Sequence, residues 1–259
     1  MPVPGDVAIV RLLPNGDAVV ERLAPRESTL TRRTVEGRAK TIAANVDTLV
    51  AVTALAEPAP RSVLLDQLIA FAELEGIAAV VALTKTDLVS SGELERYRRV
   101  YGTLGYPVLG LTPKFGDGIE RLRGVLSGRK SLLCGVSGVG KSSIFRRLGG
   151  SGDVGEVSRA RLGRQTTTAA RLCRFDGGFL IDSPGVGEFG LGAISPRELA
   201  GAFVEIREAM HACRFGDCTH LREPDCAVRS AVELGRIDAG RYASYRQILR
   251  AEAPHAIVP

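Results

Sequence analysis

Residues 132–144 read LLCGVSGVGKSSI, and Gly135 to Ser142 within them spell G-x-x-x-x-G-K-S. The apolar residues ahead, from Ser131 to Cys134, predict a short buried strand, and a helix is predicted from about Lys141. Between them, glycines let the main chain curl so that its N–H groups point inward at phosphate oxygens. The start of the helix adds the positive end of its dipole. Lys141 supplies a point charge for the β and γ phosphates, and Ser142 offers a hydroxyl to Mg²⁺. The expected nucleotide-binding residues here are Gly135, Val136, Ser137, Gly138, Val139, Gly140, Lys141, Ser142 and Ser143. The loop alone leaves the nucleotide open.

Downstream, GGFLIDSPGVGEF (177–189) is an apolar strand ending in Asp182-Ser183-Pro184-Gly185. An Asp at the end of a strand beside a phosphate loop can hold the water shell of Mg²⁺. Gly185 can give its N–H to a γ-phosphate and move when that phosphate leaves. Upstream, IAAVVALTKTDLV (77–89) is a second apolar run, predicted as a buried parallel strand, ending in Thr84-Lys85-Thr86-Asp87. This is similar to the [N/T]-K-x-D motif by which GTPases read guanine. The Asp87 carboxylate can accept from both the ring N–H and the exocyclic amine of guanine, whereas adenine presents a bare acceptor that a carboxylate repels. The Lys85 stem can lie along the base. Thr84 stands where most GTPases have Asn, keeping a hydroxyl but losing the amide. VLGLTPKFGDGIERL (108–122) resembles a degenerate form of the loop that closes over the base, with Thr112-Pro113 in place of Ser-Ala.

The order along the chain is thus base-reading motif, phosphate loop, metal Asp. In ordinary GTPases the base-reading motif comes last, so the sequence reads as an α/β, circularly permuted P-loop GTPase. Such a permutation keeps the sheet and loops, joining the old ends and opening new ones at the surface.

At 259 residues the chain suits one medium domain with one or two additions. An apolar content of 45% is enough for a packed core. No apolar run reaches the roughly 18 residues of a membrane span, and the start lacks a signal-peptide pattern, so a cytoplasmic protein off the membrane is expected. Five Cys is an odd count, against a disulfide framework, and the net charge of +5 permits an anionic partner. Three of the Cys fall in CRFGDCTHLREPDC (213–226), spaced C-x₄-C-x-H-x₅-C. Cys213, Cys218, His220 and Cys226 offer three thiolates and an imidazole, the donor set of a closed structural zinc site. Cys134 and Cys173 read as ordinary core residues. Ahead of the cluster, SPRELAGAFVEIREAM (195–210) predicts one helix with a Ser195–Glu198 capping box and Pro196 at its first position. After it, residues 226–252 predict helices packed on the zinc knot.

The permuted order, the DSPGVGEFGL stretch, the cysteine–histidine knot and the tail G-R-I…R-Y-x-S-Y together resemble the RsgA family of ribosome small-subunit-dependent GTPases, over roughly residues 25 to 252. IAANVDTLVAV (42–52) matches that family's lead into its GTPase domain. The resemblance implies GTP hydrolysis stimulated by the small ribosomal subunit late in its maturation, with GTP/GDP, Mg²⁺ and one Zn²⁺ per chain, rRNA contact, and a monomer in the bacterial cytoplasm. It carries the zinc-ligand role to Cys213, Cys218, His220 and Cys226. The expected organisation is a partial OB-like β region at 1–41, the permuted GTPase domain at 42–194 and a zinc-binding helical domain at 195–259. PGDVAIVRLLPNGDAVVERLAPRESTLTRR (4–33) resembles only the second half of the family's N-terminal OB barrel, with Asn15-Gly16 as a hairpin turn.

EVSRARLGRQTTTAARLCRF (156–175) occupies the place of the mobile switch that supplies a Thr to Mg²⁺, and one of Thr166, Thr167 or Thr168 is expected to do so, Thr167 preferred. Five arginines make it a segment able to meet RNA phosphates. Val186 stands where many GTPases place a water-orienting Gln, so slow intrinsic hydrolysis is expected. Gln165 replaces the His of the family's G-R-H-T-T-T, and its amide can accept from water while donating to the γ-phosphate. The alternative reading is a GTP-dependent binding switch that hardly hydrolyses and has a different or weaker RNA partner.

Overall fold

The structure is a computed structural model that describes residues 2–33, 39–149, 154–157, 170–182, 191 and 194–252. Its centre is a seven-stranded sheet in the order β7-β6-β5-β8-β11-β10-β9. These strands are β5 (Thr48–Ala54), β6 (Ala78–Thr84), β7 (Val108–Leu111), β8 (Lys130–Cys134), β9 (Val154–Val157), β10 (Ala170–Phe175) and β11 (Gly178–Asp182). The five from β7 to β11 in that order run parallel, and β10 and β9 are added antiparallel at one edge.

Every residue of β5 is buried. Its side chains alternate between two cores, Leu49 and Ala51 on one face of the sheet, Val50 and Val52 on the other. That is the pattern of a parallel strand covered on both sides. The first face is covered by α1 (Ser62–Glu75), the second by α3 (Ile119–Leu126) and α4 (Lys141–Gly149). The chain runs from β5 through β6 to β7 on one side, then returns to place β8 and β11 on the other. Ligands of open parallel sheets bind at the carboxyl ends of the strands where the winding reverses, here beyond β5, β6 and β8.

The N-terminal strands form two hairpins and, among the described residues, no closed barrel. β1 (Ala8–Leu12) pairs with β2 (Ala18–Leu23), and β3 (Thr29–Arg33) with β4 (Ala39–Ala44). The Asn15-Gly16 turn forms as expected, Gly16 at φ 87° and the Asn15 side chain accepting from the Asp17 N–H. The boundary expected between residues 41 and 42 falls inside β4, and Leu30 and Ala43 join the same core as β5, so the second hairpin is packed onto the sheet.

Beyond the sheet lie α5 (Pro196–Gly201), α6 (Val204–Met210), α7 (Ala227–Glu233) and α8 (Ala239–Glu252). The capping box of Ser195 and Glu198 is present, but the single helix expected over 195–210 is two. Phe203 is extended, at φ −101° and ψ 106°, and fully buried between the Arg241 guanidinium and the Tyr245 ring. Driving that side chain inward breaks the helix. Among the described residues no helix is long and apolar enough to cross a membrane.

Candidate functional site

The phosphate loop leaves β8 at Cys134 and enters α4 at Lys141, as the sequence predicts. Gly135 has φ 150°, and a Cβ there would lie 2.1 Å from the Val52 carbonyl oxygen. Only glycine permits the loop to cross the end of β5 so closely. Gly140, at φ 100°, turns the chain into the helix beside Thr84. Lys141 Nζ donates to the carbonyls of Gly135 and Val136, at 2.8 and 2.9 Å, so the ammonium lies across the concave side of the loop. Burial holds its pKa below the usual lysine value.

Asp182, buried at the end of β11, comes to this loop: the Ser142 hydroxyl donates to its Oδ2 at 3.2 Å. Two hard oxygen donors side by side at the foot of a phosphate cradle suit Mg²⁺, which takes one or two protein oxygens and completes its shell with phosphate and water.

The Thr84–Asp87 stretch arrives from β6. Thr84 is buried, and its hydroxyl donates to the Val139 carbonyl of the phosphate loop at 2.6 Å. That hydroxyl is committed to the loop, a tie between the two motifs rather than a group open to a ligand. Lys85 adopts φ 57°, the left-handed region uncommon outside glycine, and its ammonium donates to the Glu57 carbonyl. Asp87 sits in the single helical turn Thr86–Leu88, exposed to solvent. The neighbouring Thr86 hydroxyl meets that of Thr112 at 3.0 Å, which brings the 112–118 loop alongside. Pro58 approaches from the end of β5, 3.7 Å from where a Gly138 Cβ would lie. Residues 57–58 were missed from the sequence, although E-P-A-P at the exit of a central parallel strand was the available signal. Gln165, Thr167 and Gly185 lie outside the described residues.

Elsewhere, Cys213, Cys218, His220 and Cys226 converge, their ligand atoms all within 4.8 Å of one another. Cys213 and Cys226 Sγ lie 3.6 and 3.5 Å from His220 Nδ1 and 3.9 Å from each other. A tetrahedral zinc ion about 2.3 Å from sulfur and about 2.0 Å from nitrogen spaces its ligands by about 3.8 Å (S–S) and about 3.5 Å (S–N). The set therefore fits zinc through Nδ1, and the sulfurs are too far apart for a disulfide. His220 sits at φ 63°, with its carbonyl taking the Tyr242 hydroxyl at 2.6 Å. The Tyr245 hydroxyl donates to the Thr219 carbonyl at 2.9 Å. Glu223, not singled out from the sequence, braces the loop: its carboxylate accepts from the backbone N–H of Thr219, Leu221 and Arg222 and from the Thr219 hydroxyl. Burial alone would raise its pKa, but these bonds outweigh it and hold it down to about 2.

The sequence model of the RsgA GTPase family matches residues 23–192. A small ribosomal subunit biogenesis GTPase RsgA from Ectopseudomonas mendocina (strain ymp) is 44% identical over 254 residues, covering 95% of this chain and 74% of the relative. The protein of the same name from Pseudomonas aeruginosa (strain LESB58) is 43% identical, with 95% and 75% covered. Among solved structures, YjeQ from Thermotoga maritima superposes with a TM-score of 0.75 at 31% identity, over 97% of this chain and 84% of its own. YloQ, a circularly permuted GTPase, gives 0.76 at 25% identity, over 100% and 83%. With the family model matching about two thirds of the chain, relatives above 40% identity, and the Thr84–Asp87 stretch ahead of the phosphate loop in sequence but bonded to it in space, the chain belongs to the RsgA GTPase family.

Proposed function

We propose that this chain binds and hydrolyses GTP and acts in late maturation of the small ribosomal subunit, which stimulates the hydrolysis. The observation that carries this reading is the joining of three separated motifs at the carboxyl ends of interior strands of the sheet: Thr84 to Val139 at 2.6 Å and Ser142 to Asp182 at 3.2 Å. In this reading the N–H groups of Gly135 to Ser143 cradle the phosphates. Lys141 leaves its loop carbonyls for the β and γ phosphate oxygens, which offer it full negative charge. Ser142, Asp182 and Thr167 would hold magnesium, which neutralises charge on those oxygens. Asp87 accepts two hydrogen bonds from guanine, Lys85 lies along the base, and Thr84 keeps the base and phosphate halves in register.

Hydrolysis requires water to attack the γ-phosphorus as the bond to the β–γ bridging oxygen breaks, giving GDP and phosphate. We assign Gln165 to positioning that water and Gly185 to the γ-phosphate. Glutamine takes no proton at neutral pH, so its contribution is orientation. The cysteine–histidine knot holds zinc and shapes the C-terminal region. Location in the cytoplasm, contact with rRNA and action as a monomer belong to the same proposal, as do a partial OB-like N-terminus and a division near residue 194. GTP turnover measured with and without purified small subunits tests it. At least a tenfold increase at saturating subunits is expected on the scale that switch ordering gives other GTPases; equal, near-zero turnover in both conditions would leave a binding switch instead.

A further inference from the structure

Arg147 lies in α4, the helix that begins with the phosphate-loop lysine, and nothing in the phosphate chemistry calls on it. Its guanidinium reaches sideways to the 112–118 loop and takes two successive carbonyls: Nε donates to Pro113 at 2.9 Å and Nη2 to Lys114 at 2.7 Å. The loop is compact in itself, with the Thr112 N–H bonded to the Asp117 carbonyl at 3.0 Å and the Gly116 N–H to the Thr112 carbonyl at 2.9 Å. Its outer part has little packing, however, since Phe115 is 64% exposed. The root of the loop is buried at Thr112 and Pro113, and two polar ties add to that packing in setting where the loop rests. One is the contact between Thr112 and Thr86, beside Asp87. The other is the Arg147 fork.

We propose that Arg147 is a positioning residue that latches the loop beside the base-reading motif onto the phosphate-loop helix, and so sets how long a guanine nucleotide stays bound. The inference rests on the nucleotide site proposed above. A planar fork is suited to this task because it fixes two acceptors at once, which a lysine ammonium on a flexible stem cannot do in one geometry. The latch makes the base side and the phosphate side of the site one mechanical unit: the loop cannot swing away from the base without breaking two bonds to the helix that carries Lys141.

The test is the release of fluorescently labelled GDP, followed by stopped flow on the full chain. Arg147→Ala is expected to release it about tenfold faster, the effect of losing two charge-assisted hydrogen bonds, one part-buried and one exposed, for which water competes. KM for GTP should rise while kcat does not fall, a split that a general loss of structure would not give. Arg147→Gln, whose amide nitrogen stands where Arg147 Nε stands and so keeps a donor for Pro113 but cannot reach Lys114, should fall between the two proteins. Release within twofold of the native rate from folded Arg147→Ala overturns the latch. Should Arg147→Ala not fold, Arg147→Gln decides alone, faster release than the native chain supporting the latch and an unchanged rate overturning it. A native chain that binds labelled GDP no better than labelled ADP overturns the guanine site, and the latch with it, whereas native binding with unchanged variant release overturns the latch only.

Discussion

Asp87 stands exposed on a helical turn just past the end of β6, with its carboxylate free to face a base. Its replacement by Asn should weaken GTP by about 2 kcal/mol, through loss of a charge-assisted pair of hydrogen bonds. The same change should favour xanthosine triphosphate, whose second carbonyl matches the new amide donor. Competition of both nucleotides against labelled GDP measures this. Equal affinity of the variant for the two, or strong ATP binding by the native chain, would remove Asp87 from base recognition. At this scale the phosphate loop was legible because glycine spacing and the G-K-S ending dictate backbone geometry directly. Thr84 was legible as a position but not as a contact. Its partner Val139 is 55 residues away, and only the pairing of β6 and β8 to opposite sides of β5 brings them together.

The cysteine–histidine segment is held by its ligands, by Glu223 and by the Tyr242 and Tyr245 hydroxyls, and Cys218 and Cys226 join the buried apolar cluster of the C-terminal helices. His220 and Asp225 both adopt positive φ, a conformation that costs of order 1 kcal/mol for such residues and persists only when neighbours fix it. Cys218→Ser should therefore release zinc and loosen α7 and α8 while the seven-stranded sheet keeps its stability. Elemental analysis and hydrogen exchange of the two regions would show it, and protein purified without chelator that carries no zinc would refute the site. Glu223→Gln should cost about 1–3 kcal/mol, since a neutral amide cannot accept from all four donors at once. The sign with pH follows from the lowered pKa. The carboxylate's contribution is complete above its ordinary value of 4.5 and is lost as pH falls toward about 2. A native–variant difference in melting temperature that does not shrink as pH falls from 5 to 3 would contradict it. The ligand spacing made this element readable from sequence. The break at Phe203 was not, because the residues that draw the ring inward, Arg241 and Tyr245, lie about forty positions later.

Across the whole molecule, one buried cation joins the sheet layer to the C-terminal helices. Arg241 of α8 is 2% exposed; its Nη1 donates to Asp66 of α1 at 2.8 Å, and its Nε and Nη2 to both oxygens of Glu205 of α6, at 2.7 and 3.0 Å. Tyr101 adds its hydroxyl to Asp66 at 2.8 Å, and the guanidinium lies over the Phe203 ring at 4.6 Å. Burial favours the neutral form of Asp66, and the opposing charge of Arg241 works against that. In sequence Arg241 is legible only as part of the R-Y-x-S-Y tail, since no local pattern reveals an acid 175 residues away. Arg241→Ala should cost about 3–5 kcal/mol, most of it from two carboxylates left buried without a counter-charge. Replacing the three charged groups together, with Arg241→Met, Asp66→Leu and Glu205→Leu, should recover most of that loss, because the desolvation penalty disappears with the charges. Urea denaturation of the native chain and both variants separates the terms. If Arg241→Ala costs under 1 kcal/mol, the triad is incidental to the joint, whereas a triple variant no more stable than Arg241→Ala would show that the ion pairs, not the avoidance of unpaired charge, hold α8 on α1.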